Sequence, residues 1–404
     1  MGMLDYTLFG ESHGPVVGAL LRHVPAGIPV DALQMERELL RRRPSDTLST
    51  ARRETDPVQF LSGVFRGCTT GMPLVMVIPN SDVHARDYDA LRTVARPGHA
   101  DFTAHVKAKG FHDYRGGGHF SGRLTAPLTA AGSIAKTVLA AQGVTVIAHI
   151  VDEEDLRRRA AEAKAAGDSV GGQIFCRING LPAGIGGPDW FDAVESEIAR
   201  HVFAIPAVKA VGFGAGEDFA GMRGSQANDP LRTDGRNVWT ETNHNGGVNG
   251  GITNGMPVEF TVTFKPTPTI AVEQETVDLE TMKNVTLSAA GRHDSCIVLR
   301  AAPIVEAAAA LAICQLLEVE PAEDITEYRN KIDEIDEKIV KLLSERLQIG
   351  GKIGTLKALK GQKIRDQQRE AEVLRSRGDL APEYRDAIEA IFDTIMAQTR
   401  EVEK

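Results

Sequence analysis

Arg115-Gly116-Gly117-Gly118-His119-Phe120-Ser121-Gly122-Arg123 is the stretch that says most about the first part of this 404-residue chain. Three consecutive glycines let backbone N–H groups converge on an anion, and the flanking arginines supply the matching charge. Further glycine-rich or turn-rich loops follow at 243–251 and at 265–269. Taken singly, such a loop is more often a tight turn than a phosphate cradle, and none has the Walker A or dinucleotide-binding pattern.

Composition separates the chain into two parts. It has forty glycines, of which five follow residue 322, so a loop-rich part precedes a helix-rich part. The net charge of −9 argues against general nucleic-acid binding. An anionic substrate would need basic residues gathered locally, and they occur at Arg41-Arg42-Arg43, Arg52-Arg53, Arg115 and Arg123. One isolated arginine pair would more often be a solvated surface feature.

The first part reads as a mixture of strands and helices. Alternating residues at 258–264 predict a half-buried strand, and the apolar run at 74–78 predicts a second one. Helical patterns occur at 32–42, after the candidate N-cap Asp31, and at 128–141, 189–200 and 303–317. Because no regular βαβ rhythm appears, the sequence predicts an α+β domain at 1–319, followed by a linker at 318–324.

The second part, 320–404, reads as three helices. From 325 to 359 apolar residues recur every three or four positions, which predicts a helix about 50 Å long. Eighty residues cannot cover such a helix, so a partner chain should cover it in an intertwined dimer. Gly350, Gly351 and Gly354 weaken the helix locally. Further helices are predicted at 365–377 and from Pro382 onward.

The cysteines and the apolar stretches bear on location. Cys68, Cys176, Cys296 and Cys314 are far apart and lack metal-type spacing, which predicts free thiols in a reducing cytoplasm and no metal. The N-terminal residues lack a signal-peptide pattern, and the apolar stretch at 301–317 is too short and too polar to span a bilayer.

Several motifs occur together and in order. They are Gly10-Glu11-Ser12-His13-Gly14, Arg41-Arg42-Arg43-Pro44, Arg96-Pro97-Gly98-His99-Ala100-Asp101, Tyr114-Arg115-Gly116-Gly117-Gly118, Gly250-Gly251-Ile252, Lys265-Pro266-Thr267 and Gly291-Arg292-His293-Asp294. With this series, residues 5–317 resemble chorismate synthase. The resemblance implies a 1,4-anti elimination of phosphate from 5-enolpyruvylshikimate-3-phosphate, which gives chorismate. It also implies reduced FMN as cofactor and a homotetramer.

The same resemblance implies roles for individual residues. His13 would protonate the leaving phosphate, His99 would protonate reduced flavin, and Asp294 with Ser12 would handle the proton at the reacting flavin nitrogen. The implied flavin site comprises His119, Phe120, Ser121, Ala207, Gly250, Lys265, Pro266, Thr267, Pro268, Thr269, Arg292 and Arg42. Arg42, Arg43, Arg115 and Arg292 are candidates for binding phosphate and carboxylates, because guanidinium groups suit both.

The chain departs from the usual family pattern at two places. His119-Phe120-Ser121 stands where many members have Arg-Ser-Ser, which is a variant known within the family. Leu48 replaces an arginine, and Arg52 or Arg53 could compensate. NADPH contact is therefore weakly indicated, and an outside reductant is the favoured expectation.

The charged residues of the tail form a second set. Arg346 and Lys357 are eleven residues apart and share a helix face, as do Asp366, Arg369 and Glu370. Charge pattern alone also suits a salt-bridged coiled coil. However, the tail resembles the all-helical chorismate mutase, whose active-site positions match Arg329, Arg346, Lys357, Asp366, Arg369 and Glu370.

The mutase resemblance implies rearrangement of chorismate to prephenate, with Arg329 reaching into the site of the partner chain. Thr399 and Glu403 occupy positions where the family uses serine and glutamine. Glutamate can donate to an ether oxygen only when protonated, so higher mutase activity at acid pH is expected. The chain is thus expected to be a bifunctional enzyme that acts on small anionic substrates. The alternative is a synthase whose tail senses a ligand or holds protomers together. A general flavin oxidoreductase would need a dinucleotide fingerprint that is absent.

Overall fold

The computed structural model describes residues 4–44, 47–49, 54–81, 92–187, 189–288, 294–317 and 325–403, with the backbone alone at 325–328. Contacts divide the chain into two compact units, Met1–Ala322 and Glu323–Lys404. Arg52, Arg53, Arg292, His293 and the linker predicted at 318–324 lie outside the described residues. Within the described ranges, none of the helices combines the length and the hydropathy that a membrane span requires.

The first unit is built from short strands and helices. Its strands are β1 (Asp5–Gly10), β2 (Val16–Arg22), β3 (Gln59–Ser62), β4 (Val64–Phe65), β5 (Cys68–Thr69), β6 (Leu74–Pro79), β7 (Thr145–Ile150), β8 (Gly172–Asn179), β9 (Val208–Phe213), β10 (Leu231–Thr233), β11 (Val238–Thr240), β12 (Val248–Asn249), β13 (Ile252–Thr253), β14 (Val258–Phe264), β15 (Gln274–Asp278) and β16 (Lys283–Leu287). Its helices are α1 (Ala32–Arg42), α2 (Asp101–Lys107), α3 (Thr125–Ala140), α4 (Glu153–Ala165), α5 (Val194–Phe203), α6 (Gly224–Ala227) and α7 (Ala302–Leu316).

Two four-stranded antiparallel sheets organise this unit. The first has the order β1-β2-β6-β3, and the second has the order β7-β8-β14-β9. In β14 the apolar residues at alternate positions are buried, as the sequence pattern predicted. Helix α3 contacts β2 and β6 of the first sheet and β7 of the second, while α7 packs on α3, β7 and β8. The α+β prediction is therefore confirmed.

A buried carboxylate ties the helical layer together. Glu306, on the alanine-rich helix α7, accepts two 2.8 Å hydrogen bonds from Arg41 and one of 2.9 Å from Ala148 N, and it pairs with Lys136. Burial alone would raise the pKa of Glu306, but Arg41 and Lys136 lower it. The acid thus joins α1, α3 and β7 to α7.

The elements that local sequence signals predicted in this unit occur in the structure, with one error. Helix α1 begins directly after Asp31, whose Oδ1 accepts from the N–H groups of Leu33 and Gln34, each at 2.9 Å. The single helix predicted at 189–200 is wrong. A 3₁₀ turn at Trp190–Asp192 is separated from α5 because Ala193 has an extended ψ of 142°.

The second unit consists of helices, as predicted: α8 (Ile325–Leu359), α9 (Gln367–Gly378) and α10 (Arg385–Val402). Gly361 takes a φ of +63° just after α8, and a 3₁₀ turn at Pro382–Tyr384 leads into α10. Seven apolar side chains along α8 are between 42% and 66% exposed: Ile332, Ile335, Ile339, Leu342, Ile349, Ile353 and Leu356.

The glycines of α8 mark its contact with α10. A Cβ added to Gly354 would lie 2.4 Å from the carbonyl oxygen of Glu403, and one added to Gly350 would lie 2.6 Å from Thr399 Cγ2. Residues that weaken the helix in isolation therefore allow the end of α10 to approach it closely.

Candidate functional site

A cavity of about 980 Å³ opens in the first unit. Most of the site residues expected from sequence line it, although they come from distant segments. They are Ser12, Arg42, Arg43, His99, His119, Phe120, Ser121, Ala207, Lys265, Thr267, Pro268, Thr269 and Asp294. The volume lies within the range typical of cofactor and substrate pockets.

The cavity is strongly cationic. Among its described lining residues, seven cations face three carboxylates. The cations are Arg42, Arg43, Arg96, Arg123, Lys209, Lys265 and Arg300, and the carboxylates are Glu54, Asp56 and Asp294. Because the whole chain carries a net charge of −9, this surplus is local. It suits a ligand with several negative charges.

Asp56 organises one wall of the cavity. Its carboxylate pairs with Arg42 Nη1 at 3.2 Å and with Arg123, and it lies 3.9 Å from Arg43 Nε. Arg42 Nε also donates to Thr125 Oγ1 at 2.9 Å. Burial lowers the pKa of Arg42 to about 9, although Asp56 acts in the opposite direction. One buried acid thus aligns three guanidinium groups.

The turn that carries Ser12 and His13 is held from two sides. Asn80 Nδ2 donates to the carbonyls of Glu11 and Gly14, at 3.1 and 2.7 Å. Gly116 has a φ of +58°, and a Cβ there would lie 2.4 Å from His13 Nδ1 and 2.8 Å from Ser12 Oγ. The triple-glycine loop therefore lets the backbone pass directly against these two side chains.

His99 is oriented by a buried ion pair. Asp101 accepts from Arg96 Nε at 2.7 Å and Arg96 Nη2 at 2.9 Å. His99 Nδ1 lies 2.6 Å from Asp101 Oδ1 and 3.1 Å from Arg96 Nη2. Because a carboxylate only accepts, the short contact assigns the proton of Nδ1 to the bond with Asp101. Burial would raise the pKa of Asp101, but Arg96 and His99 hold it well below its usual range. Nε2 is then the atom of His99 through which a proton can move, and it faces Gly117.

Asp294 is held by Arg300. Arg300 Nε donates to Oδ1 at 3.1 Å and Nη2 donates to Oδ2 at 2.7 Å, and both side chains are about nine-tenths buried. Burial would lower the pKa of Arg300, but Asp294 raises it. The geometry is the bidentate arrangement in which guanidinium stabilises an ionised carboxylate most effectively.

The remaining walls suit a planar cofactor that carries a phosphate. Lys265 donates to Gly98 O, and burial next to Lys209 lowers its pKa. Apolar side chains complete this part of the lining at Leu128, Phe203, Ile205 and Ile297. A basic edge beside an apolar wall is what flavin mononucleotide requires, so the residues fit this group.

Some expected residues lie outside the lining. His13 is buried behind Gly116, and Pro266 belongs to the same loop as its lining neighbours. Arg115 forms a bidentate pair with Asp113, at 2.8 Å for both bonds. Gly250 lies in the exposed turn between β12 and β13.

Sequence reasoning counted Arg123 among the basic residues gathered for an anionic substrate, but it assigned no role in the site to Arg96, Asp56, Lys209 and Arg300. Arg96 stands within a quoted motif and could have been included on that ground. Asp56, Lys209 and Arg300 follow no recognisable local pattern.

In the second unit, α10 brings two polar residues to the cationic face of α8. Arg346 Nη1 donates to Thr399 Oγ1. Lys357 Nζ donates to Glu403 Oε2 at 2.9 Å and to Ile364 O at 2.6 Å. Thr399 and Glu403 therefore reach the residues with which sequence reasoning grouped them.

The α9 residues are placed less uniformly. Glu370 accepts from Arg400 on α10 at 2.7 Å, and this partner was missed from sequence. Partial burial would raise the pKa of Glu370, but Arg400 and Arg365 lower it. Asp366 caps α9 by accepting from Arg369 N at 3.0 Å, while the Arg369 side chain pairs with exposed Glu372.

Arg329 lies exposed near the start of α8. It is separated from Arg346 by seventeen residues, which is about 25 Å along a helix. Its distance along one helix keeps it from joining the Arg346 cluster in the same protomer.

Comparison with known proteins identifies both units. A model of the chorismate synthase family matches residues 4–155 and 151–317, and a model of chorismate mutase type II matches residues 328–404. The chain is 45% identical over 341 residues to the chorismate synthase of Thermococcus kodakarensis, covering 78% of this chain and 96% of that protein. It is 46% identical over 317 residues to that of Chitinophaga pinensis, covering 78% and 94%.

A solved structure agrees with this result. The crystal structure of a chorismate synthase matches with a TM-score of 0.62 at 26% identity, covering 84% of this chain and 98% of that one. The chain belongs to the chorismate synthase family and carries a chorismate mutase type II domain in the same polypeptide.

Proposed function

We propose that the first unit eliminates phosphate from 5-enolpyruvylshikimate-3-phosphate with reduced FMN, and that the second unit rearranges the resulting chorismate to prephenate. The observation that carries the proposal is the cationic cavity, which gathers Ser12, His99, Asp294 and the arginines from separate segments. The reduced flavin would lend electron density transiently, so no net oxidation occurs.

The synthase residues divide the work between proton transfer and binding. His13 gives a proton to the leaving phosphate, and Nε2 of His99 holds the proton that sets the charge of the flavin. Ser12 and Asp294 would take up the proton at the reacting nitrogen of the flavin. The guanidinium groups aligned by Asp56 bind phosphate and carboxylates, and Phe120 with the 265–269 loop holds the flavin.

The flavin must arrive reduced. The dinucleotide fingerprint is absent from the sequence, and Leu48 stands where the family often has arginine. We therefore infer that an outside reductant supplies the electrons. The alternative is that NADPH reduces the flavin on this chain. To distinguish the two, NADPH is added to the protein and FMN without any other reductant: chorismate formation would support the alternative, and its absence would support an outside reductant.

The mutase residues act by clamping charge. A Claisen rearrangement needs no nucleophile, and catalysis requires a folded substrate with charge stabilised on its ether oxygen. Arg346 and Lys357 supply the cations, protonated Glu403 donates to the ether oxygen, and Glu370 lies at a further active-site position of the family. Asp366, Thr399 and Arg369 complete the set.

An intertwined dimer of the tail would bring Arg329 of one chain into the mutase site of the other. Two observations support this dimer: the apolar stripe of α8 is exposed in a single chain, and Arg329 is too far from Arg346 to join it within one chain. In such a dimer Arg329 completes the site of its partner. The synthase unit is proposed to associate further, giving a homotetramer.

A second candidate function for the tail follows from the Lys357–Glu403 ion pair. An ionised carboxylate can only accept hydrogen bonds, so Glu403 in this state could not donate to the ether oxygen of the substrate. A tail that only binds chorismate, or that only holds protomers together, would tolerate this arrangement.

The test uses full-length protein under anaerobic conditions with reduced FMN and 5-enolpyruvylshikimate-3-phosphate, separating chorismate from prephenate over time. Prephenate that forms after chorismate supports both activities. Chorismate that accumulates unchanged, even at acid pH, reduces the tail to a binding module. Two variants separate the units: Arg346→Ala should form chorismate without prephenate, and His99→Ala should convert only added chorismate.

A further inference from the structure

Asp294 and Arg300 form a bidentate ion pair in the cavity wall. Both oxygens of Asp294 accept from the guanidinium group, at 3.1 and 2.7 Å, and the two residues are six positions apart. Each side chain is only about one-tenth exposed, so water competes weakly for the pair. Arg300 lines the same cavity as the proposed proton-handling residues.

We propose that Arg300 is a positioning residue for the synthase reaction: it keeps Asp294 ionised and fixes its plane, so that Asp294 enters the reaction as the proton acceptor. The inference rests on the proposed function of the first unit. It assigns a direction to the proton transfer, because a carboxylate gripped on both oxygens by a permanently charged partner can accept a proton but has none to give.

The surroundings favour this assignment. Arg42, from α1, is close enough to repel Arg300 and attract Asp294, while Asp56 attracts Arg300. The Cys296 thiol also lies near Asp294, and burial raises its pKa, which keeps it neutral. Among the described residues, Arg42 donates to Thr125, Asp56 and the carbonyl of Gly122, so in this arrangement it does not replace the bidentate contact of Arg300.

The first arm of the test is a double-mutant cycle on chorismate formation, with Asp294→Asn, Arg300→Gln and the double variant. Asp294→Asn should lower kcat by about 100-fold or more. In the wild-type background, Arg300→Gln should lower kcat by about 10- to 100-fold. In the Asp294→Asn background, the same substitution should lower kcat by less than about 3-fold. An equal loss in both backgrounds would overturn the proposal, because a merely structural role does not depend on Asp294.

The second arm uses the pH profile. Loss of an opposite charge raises a carboxyl pKa by about 1 to 3 units, so the acid limb of kcat should move up by that amount in Arg300→Gln. Arg300→Lys keeps the charge without the fork and should recover part of the shift. An unmoved acid limb in Arg300→Gln would contradict the proposal.

The third arm needs no flavin and no activity. In Arg300→Gln, buried Asp294 should bind a proton more readily when folded than when unfolded. The stability deficit of Arg300→Gln relative to wild type should therefore narrow as pH falls from 8 to 5, and the double variant should remove this pH dependence. A constant deficit argues against the proposal. If wild type forms no chorismate, the proposed function fails first, and this arm still reports on the pair.

Discussion

Lys357 and Glu403 form a 2.9 Å ion pair between α8 and the residue that follows α10, although 46 positions separate them. The contact occurs where Gly354 lets the two segments approach. Glu403 thus neutralises a cation that a chorismate dianion would need under the proposed mutase function, and binding of the dianion would have to break or share this pair.

Replacing Glu403 by glutamine should change the pH dependence of the mutase. Wild-type activity should rise as pH falls from 8 to 5, because only the protonated carboxyl donates to the ether oxygen. Glu403→Gln donates at every pH, so its profile should be flat and its kcat at pH 8 about 10-fold higher or more. Initial rates with added chorismate measure both profiles.

The control is Glu401→Gln, the same chemical change at an exposed position in the last turn of α10. It should keep the wild-type profile. A wild-type rate that is flat from pH 5 to 8 would remove the proposed role of Glu403.

Gly354→Ala should damage the mutase although alanine favours helices. The new Cβ would lie 2.4 Å from Glu403 O, so α10 must shift and carry Glu403 away from Lys357. We expect kcat/KM for chorismate to fall by about 10-fold or more, since small displacements of catalytic groups are costly.

Gly351→Ala is the matched control, because its Cβ would meet Val402 at an ordinary 3.5 Å. It should leave activity within about 2-fold and stabilise α8 by up to about 1 kcal/mol. Equal effects of the two substitutions would show that the close approach at Gly354 is unimportant.

Asp101→Asn should lower chorismate formation by disturbing His99. The amide no longer holds the imidazole in one tautomer, and kcat should fall by about 10- to 100-fold. Because the pKa of Asp101 is held low, its carboxylate stays ionised between pH 5 and 8, and its titration should not shape the wild-type profile there.

Asp229→Asn provides the comparison. Asp229 also accepts several hydrogen bonds, from Thr242 Oγ1 at 2.7 Å, His244 N at 2.8 Å and Asn245 N at 2.9 Å, but it lies outside the cavity lining. Burial would raise its pKa, yet these bonds lower it to about 2. Its stabilising effect is therefore complete above about pH 4 and lost as pH falls toward 2. Thermal unfolding should show that Asp229→Asn is less stable than wild type at neutral pH and that this difference disappears as pH falls toward 2. The kcat for chorismate formation should fall less in Asp229→Asn than in Asp101→Asn.

Ile335→Glu should uncouple the tails. The side chain is 53% exposed within the protomer, and a charge there would oppose burial against a second chain. Mutase activity should fall by about 10-fold or more, with chorismate formation retained. Lys338→Glu changes charge at an exposed polar position and should have little effect. Sedimentation analysis checks the assembly, and unchanged assembly and mutase activity in Ile335→Glu would contradict the dimer.

Local sequence signals were sufficient for individual elements. Asp31 begins a helix because a short acidic side chain can cap free N–H groups, and the alternation at 258–264 gives a strand with one buried face. Asp366 was placed inside the helix predicted at 365–377, whereas it caps that helix. The motif residues Ser12, His99 and Asp294 do line one cavity.

The sequence could not reveal the partners that act across the fold. Asp56 and Arg300 matter because of the guanidinium or carboxylate they meet, and those contacts depend on packing rather than on spacing. Sequence analysis treated the glycines of α8 only as residues that weaken the helix, which is a local property. Their role in letting α10 approach α8 closely depends on the packing of the two helices and could not be seen in the sequence.

The surplus of cations around the cavity also has a kinetic consequence. At physiological ionic strength, electrostatic attraction extends only about 8 Å, whereas the net charge of −9 would repel an anion in dilute buffer. The synthase unit therefore captures its substrate at short range rather than steering it from afar. Association should thus tolerate cellular salt, because the charges that matter act only after the substrate has reached the mouth of the cavity.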